Sequence, residues 1–126
     1  MARILVVDDA DDVRLALSML MEDEGHMVIE GADGEHVAQL ARQHRPDLIL
    51  LDLMMPVVDG FEALKQLRSD PAVREIPVIV VSAKSSPEDL ELAARLGAVD
   101  FVTKPWSMVD LVARVGMALN GREHRA

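Results

Sequence analysis

LILLDLMMP, residues Leu48 to Pro56, runs four apolar side chains into one aspartate, stays apolar for three more positions and stops at a proline. A run that is apolar at every position, not at alternate ones, fits a strand buried on both faces. Such strands belong to parallel sheets covered by helices. Asp52 then stands at the carboxyl end of that strand, at the rim of the sheet, where a reactive anion is reachable.

Working outward, four further short apolar runs share this character: RILVV (Arg3 to Val7), MVIE (Met27 to Glu30), PVIVV (Pro77 to Val81) and VDFVT (Val99 to Thr103), with DLILL (Asp47 to Leu51) as the third of five. Between and after them, helical periodicity predicts helices over 12–24, 34–44, 60–69, 87–96 and 107–120. Asp11 and Asp59 are placed to cap the helices that follow them. Gly25 and Gly97 can take the left-handed conformation that ends a helix, and Pro46, Pro71 and Pro105 interrupt helical continuation. Strict alternation of strand and helix predicts an α/β fold, one doubly wound five-stranded parallel sheet flanked by five helices.

The chain has 126 residues, half of them apolar and 28% charged, which fits one globular domain with a real core. Its net charge of −9 opposes contact with nucleic-acid phosphates or an anionic membrane. The absence of cysteine removes thiol chemistry and suits the cytoplasm. No run is long enough for a membrane span, and MARILVVDD meets two acids too soon for a signal peptide.

In a parallel sheet, ligands bind outside the carboxyl ends of the strands, where strand order reverses. After the first run come Asp8 and Asp9, after the third Asp52, after the fourth Ser82, and near the end of the fifth Lys104. Singly, each has a plainer reading: the aspartates as turn formers, Ser82 as a turn hydroxyl, Lys104 as a solvated surface residue. Jointly they put three carboxylates, one hydroxyl and one ammonium in a single crevice. Clustered carboxylates repel unless one is protonated or a divalent cation joins them, and an all-oxygen site suits Mg²⁺ with a phosphoryl oxygen.

The stretches ILVVDDADDVR, PDLILLDLMMPVVDGFE, IPVIVVSA and GAVDFVTKP, in that order from Arg3 to about Leu119, resemble the receiver domain of two-component response regulators. The resemblance implies the flavodoxin-like strand order 2-1-3-4-5, with residues 1–120 as the receiver and 121–126 as a polar C-terminal tail. It implies that Asp52 accepts a phosphoryl group from a histidine kinase or phosphotransfer protein, with Mg²⁺ or Mn²⁺ held by Asp8, Asp9, Asp52 and the backbone carbonyl of Met54. Lys104, Ser82 and the backbone N–H of Ala83 would contact the phosphoryl oxygens. Ser82 and Phe101 would form a switch reshaping the surface of the fourth helix, fifth strand and fifth helix. That surface would then control a downstream protein or output domain, and a phosphorylation-linked homodimer is a further expectation. The protein would be a signalling domain that catalyses only its own phosphorylation and dephosphorylation.

Several residues depart from the family's pattern or need separate comment. Val57 stands where many receivers have glycine; if that position needs positive φ, a β-branched residue is strained there, and the loop is expected to relax. Met54, being apolar, is not expected to orient an attacking water, which predicts a phosphate lasting longer than seconds. Lys104–Pro105 is expected to be cis. Gly116 inside the last helix points to a close approach, and the apolar residues around it to a partner or dimer face. The histidines, with no acid partner evident in the sequence, read as surface residues. A haloacid-dehalogenase-type phosphatase would carry an acid at position 54, and a flavodoxin-like electron carrier would not place the acidic DDADD loop against a flavin phosphate.

Overall fold

In the computed structural model, which describes residues 1–125 and the side chains of residues 1–121, five strands and five helices alternate strictly. The order is β1 (Arg3–Val7), α1 (Asp11–Asp23), β2 (Met27–Gly31), α2 (Val37–His44), β3 (Leu48–Leu51), α3 (Gly60–Ser69), β4 (Val78–Ser82), α4 (Pro87–Arg95), β5 (Asp100–Thr103) and α5 (Met108–Arg125). The strands form one parallel sheet in the order β2-β1-β3-β4-β5, as predicted.

Alternation along each strand sends neighbouring side chains to opposite faces. Leu5, Val7, Ile49, Leu51 and Val78 pack with Val37 and Ala41 of α2 and Ala63, Leu64 and Leu67 of α3. Ile4, Val6, Leu48, Leu50, Ile79 and Val81 pack on the other face with Leu17 and Met21 of α1 and Leu111 and Val115 of α5. Every residue of β3 and β4 is buried, so the unbroken apolar run of 48–51 reflects cover on both faces. Truncating one of these, such as Leu50, to alanine costs about 2–5 kcal/mol.

Several element ends have a visible cause. Asp59 caps α3 by accepting from the Glu62 N–H at 2.9 Å, as predicted. Ser86 and Asp89 form a reciprocal capping box on α4, with Pro87 as its first residue. Gly25 and Gly97 have φ of +89° and +100° and terminate α1 and α4 as expected. Asp11 is a correction: it does not cap α1, whose N-cap is Ala10 with no side-chain bond. The helix starts one residue earlier than predicted: the Arg14 N–H that a capping Asp11 would take is donated to the Ala10 carbonyl at 2.9 Å, and the Asp11 side chain instead pairs with the Arg14 guanidinium at 2.6 Å in the first turn.

The start of α2 is later than predicted, at Val37. The Asp33 carboxylate accepts the His36 N–H and meets its ring at 2.9 Å, holding residues 33–36 in a turn. That gives His36 an acid partner which the sequence had not suggested. The last helix runs to Arg125, past the predicted end at Asn120.

Two glycine expectations also change. Val57 does not relax: it sits at φ +69°, with its side chain 98% exposed. A Cβ at Gly116 would meet nothing within 4 Å among the described residues, so no close approach explains that glycine.

Candidate phosphorylation site

Register brings the acids together. Val7 of β1 lies opposite Leu51 of β3, so Asp8 and Asp52, each the next residue, leave two adjacent strands at the same level. Adjacent strands are about 4.8 Å apart, which sets the spacing of the two carboxylates. Oxygen atoms of Asp8, Asp9 and Asp52 all lie within 4.8 Å of one another. Asp8 and Asp52 are buried, whereas Asp9 is exposed at the mouth.

One cation reaches this cluster from the far side of the sheet. Lys104, just after β5, places Nζ 2.7 Å from Asp8 Oδ2 and 3.3 Å from Asp52 Oδ2. Its backbone N–H donates to the Ser82 carbonyl, and the peptide bond to Pro105 is cis, as expected. Burial alone would lower the ammonium, but the hydrogen bond to Asp8 and the charge of Asp52 outweigh it, so Lys104 is held above its ordinary value. It stays charged.

The remaining contacts fix the carboxylates. Asp52 Oδ1 accepts the Met54 N–H at 3.2 Å, and the Asp52 N–H donates to the Val7 carbonyl. The Arg14 guanidinium donates to the Asp8 carbonyl at 2.8 Å, tying the first turn of α1 to the rim of β1. Ser82, at the end of β4, is fully buried, and its Oγ accepts the Lys84 N–H at 3.1 Å. Ala83 follows it and is exposed. Phe101 of β5 is partly buried against Leu53, Val80 and Ala93. Leu53 is buried with Val80 and Ala93, while Met54 is 56% exposed.

Sequence reasoning missed the part played by Gly60. A Cβ there would lie 2.2 Å from the Asp52 carbonyl oxygen and 2.6 Å from the Leu53 Cα, and the Gly60 N–H donates to the Leu53 carbonyl at 3.0 Å. The start of α3 is pressed against the backbone that carries Asp52. A glycine directly after a capping aspartate was the available signal, but a helix start alone does not require it. The Lys84–Asp89 ion pair, 3.0 Å long, lies beside Ser82 as well.

The donor set is all oxygen and anionic, which fits a small hard cation such as Mg²⁺ or Mn²⁺ and not a soft one. Asp8, Asp9 and Asp52 are the side chains that would hold it.

Comparison with known proteins agrees with this geometry. The sequence profile of the response regulator receiver domain matches residues 4–116. The chain is 39% identical to Protein PilH of Pseudomonas aeruginosa over 121 residues, covering 96% of this chain and all of PilH. It is 40% identical to the alkaline phosphatase synthesis transcriptional regulatory protein PhoP of Bacillus subtilis, covering 96% of this chain but only 50% of that regulator. Among solved structures, the receiver domain of a Pseudomonas aeruginosa sensor histidine kinase superposes with a TM-score of 0.87 at 27% identity, covering 94% of this chain and 98% of that one. That structure has a magnesium ion coordinated in its active-site cleft. With its acidic pocket of Asp8, Asp9 and Asp52 and with Lys104 arranged for Mg²⁺-dependent phosphorylation, the chain belongs to the response regulator receiver domains of two-component signalling.

Proposed function

We propose that Asp52 is the phosphoacceptor and that the donor is a phosphohistidine on a histidine kinase or phosphotransfer protein. A carboxylate oxygen of Asp52 forms the new P–O bond while the donor's P–N bond breaks, and the departing imidazole takes a proton from solvent. The observation that carries this reading is the buried ion pair: Asp52 is held at the strand end, level with Asp8, with a charged lysine 3.3 Å away. Asp8, Asp9 and the Met54 carbonyl are the other groups we assign to the cation. When bound, Mg²⁺ offsets negative charge on the phosphoryl oxygens and on the carboxylates. Lys104 supplies positive charge from the β5 side, and the Ser82 hydroxyl and Ala83 N–H donate to phosphoryl oxygens once the group is in place.

The output follows from the position of Ser82. Its hydroxyl turns toward the phosphoryl group, Phe101 moves in behind it, and the α4–β5–α5 face changes shape. Phosphorylation thereby selects one of two arrangements of that face. Exposed apolar residues there, Leu90, Val99, Met108, Val109 and Met117, support its use by a downstream protein, an output domain or a second copy of the chain. Residues 1–120 act as the receiver unit, and cytoplasmic kinases are its natural donors. No helix among the described residues is long and apolar enough to cross a membrane.

Intact mass after incubation with Mg²⁺ and acetyl phosphate tests the assignment. The expected result is a gain of one phosphoryl group that does not form when Mg²⁺ is chelated beforehand and does not form in Asp52→Ala. A gain that persists in Asp52→Ala would move the acceptor elsewhere, and no gain at saturating donor would reduce the site to a docking role. The same assay follows the lifetime of the phosphate, which we expect to exceed seconds because the apolar Met54 side chain offers nothing to an attacking water.

A further inference from the structure

Helix α4 is weakly held by apolar packing. Of its nine residues only Asp89 and Ala93 are buried, and Leu90 is 41% exposed. Few buried apolar contacts mark an element able to move as a unit. Polar contacts at its two ends do the holding instead. At the C-terminal end, the Arg68 guanidinium of α3 donates to the Gly97 carbonyl at 3.0 Å and to the carbonyls of Arg74 and Ile76.

At the N-terminal end, Asp89 Oδ2 accepts the Ser86 N–H at 3.1 Å and the Ser86 hydroxyl at 2.8 Å, while Oδ1 takes the Lys84 ammonium at 3.0 Å. Hydrogen bonds from Ser86 and then from Lys84 hold the Asp89 carboxyl below the usual range, outweighing burial. Lys84 is therefore bound at two points, because its backbone N–H also donates to Ser82 Oγ at 3.1 Å. One residue joins the hydroxyl next to the phosphorylation site to the first turn of α4.

We propose that Lys84 is a positioning residue that pins α4 in the unphosphorylated arrangement, and that phosphorylation acts by breaking this pin; the inference rests on the reading of Asp52 and Ser82 given above. When the Ser82 hydroxyl turns to a phosphoryl oxygen it leaves the Lys84 N–H, residues 83–86 shift, and the ammonium is drawn off Asp89. The N-terminal end of α4 is then free to move while Arg68 keeps its C-terminal end on α3. An interaction present in only one of two arrangements opposes the change by its own free energy, so removing it favours the phosphorylated form. Lys84 and Asp89 are 48% and 12% exposed at the side chain, which sets a modest size for that bias.

The test is beryllofluoride, an acyl-phosphate mimic, titrated with Mg²⁺ by calorimetry, together with hydrogen exchange of the α4 amides. Lys84→Met keeps the backbone N–H and the stem but removes the ammonium. It is expected to bind beryllofluoride about two- to fivefold more tightly and to exchange the 90–93 amides faster before ligand is added. Asp89→Asn keeps an acceptor for Ser86 and moves both readouts the same way, while Lys84→Arg restores both toward wild type. Equal or weaker binding by Lys84→Met, or unchanged exchange in α4, overturns the pin and leaves the acceptor assignment standing. Failure of the wild type to bind beryllofluoride overturns the reading of Asp52, and this inference with it.

Discussion

Lys104 gives its shorter contact to Asp8, at 2.7 Å, and its longer one to Asp52, at 3.3 Å. The ammonium thus partly neutralises both buried carboxylates of a cluster whose third member, Asp9, faces solvent. The same two carboxylates belong to the cluster that would hold a divalent cation, so lysine and metal act on shared charge.

Lys104→Met should destabilise the metal-free protein by about 1–3 kcal/mol, because it leaves two buried carboxylates without their cation. The loss should shrink at saturating Mg²⁺, which offsets the same charges, and phosphorylation should fall by at least about tenfold. Urea unfolding with and without Mg²⁺ checks the first part; an equal loss in both conditions would contradict it. Since the folded ammonium lies above its ordinary value of 10.5, its contribution is present in full below that pH and is lost as pH rises through the folded value.

Gly60→Ala should disturb the site without altering any group in it. The added methyl would lie 2.2 Å from the Asp52 carbonyl oxygen, and backbone, unlike the end of a flexible side chain, must move as a segment to relieve that. The expected cost is about 1–3 kcal/mol. Slower phosphorylation by acetyl phosphate should accompany it in protein that is still folded. A variant with wild-type stability would show that α3 can withdraw freely.

Much of this arrangement was legible in the sequence, for a physical reason. Short, mostly apolar strands alternating with helical stretches encode the parallel sheet, and the polar residues at or just after their carboxyl ends mark the edge where chemistry gathers, so Asp8, Asp52, Ser82 and Lys104 could be placed there from the sequence. What escaped depended on contacts between segments distant in sequence or on small local competitions. Asp11 has no capping role because the Arg14 N–H it would accept is already donated to the Ala10 carbonyl. The turn that delays α2 depends on where the Asp33 carboxylate points, which periodicity does not encode. Gly60 acquires its meaning only from the Asp52 and Leu53 backbone that folding brings against it.

Val57→Gly should stabilise the protein. Valine at φ +69° is strained by about 1–2 kcal/mol, and with the side chain 98% exposed there is almost no packing to lose. Glycine removes the strain but adds freedom to the unfolded chain, leaving a net gain of about 0.5–1 kcal/mol. Chemical denaturation resolves a change of that size. A loss of stability would mean that Val57 makes contacts in solution which its exposure does not suggest.

His26 should give the fold a mild acid sensitivity. Its Nδ1 accepts the Ala2 N–H at 3.1 Å, which requires an unprotonated nitrogen at that position. Burial first, and the nearby chain amino group second, lower its tendency to take a proton, against the opposing pull of Glu24 and Asp47. A base lowered in the folded state is protonated more readily in the unfolded chain. Its contribution to stability is therefore complete above the ordinary value of 6.5 and declines as pH falls from there through the folded value. In unfolding experiments between pH 7.5 and pH 5, His26→Asn, which keeps a neutral acceptor near the same place, should lose this part of the slope. An unchanged slope in the variant would assign the sensitivity to another group.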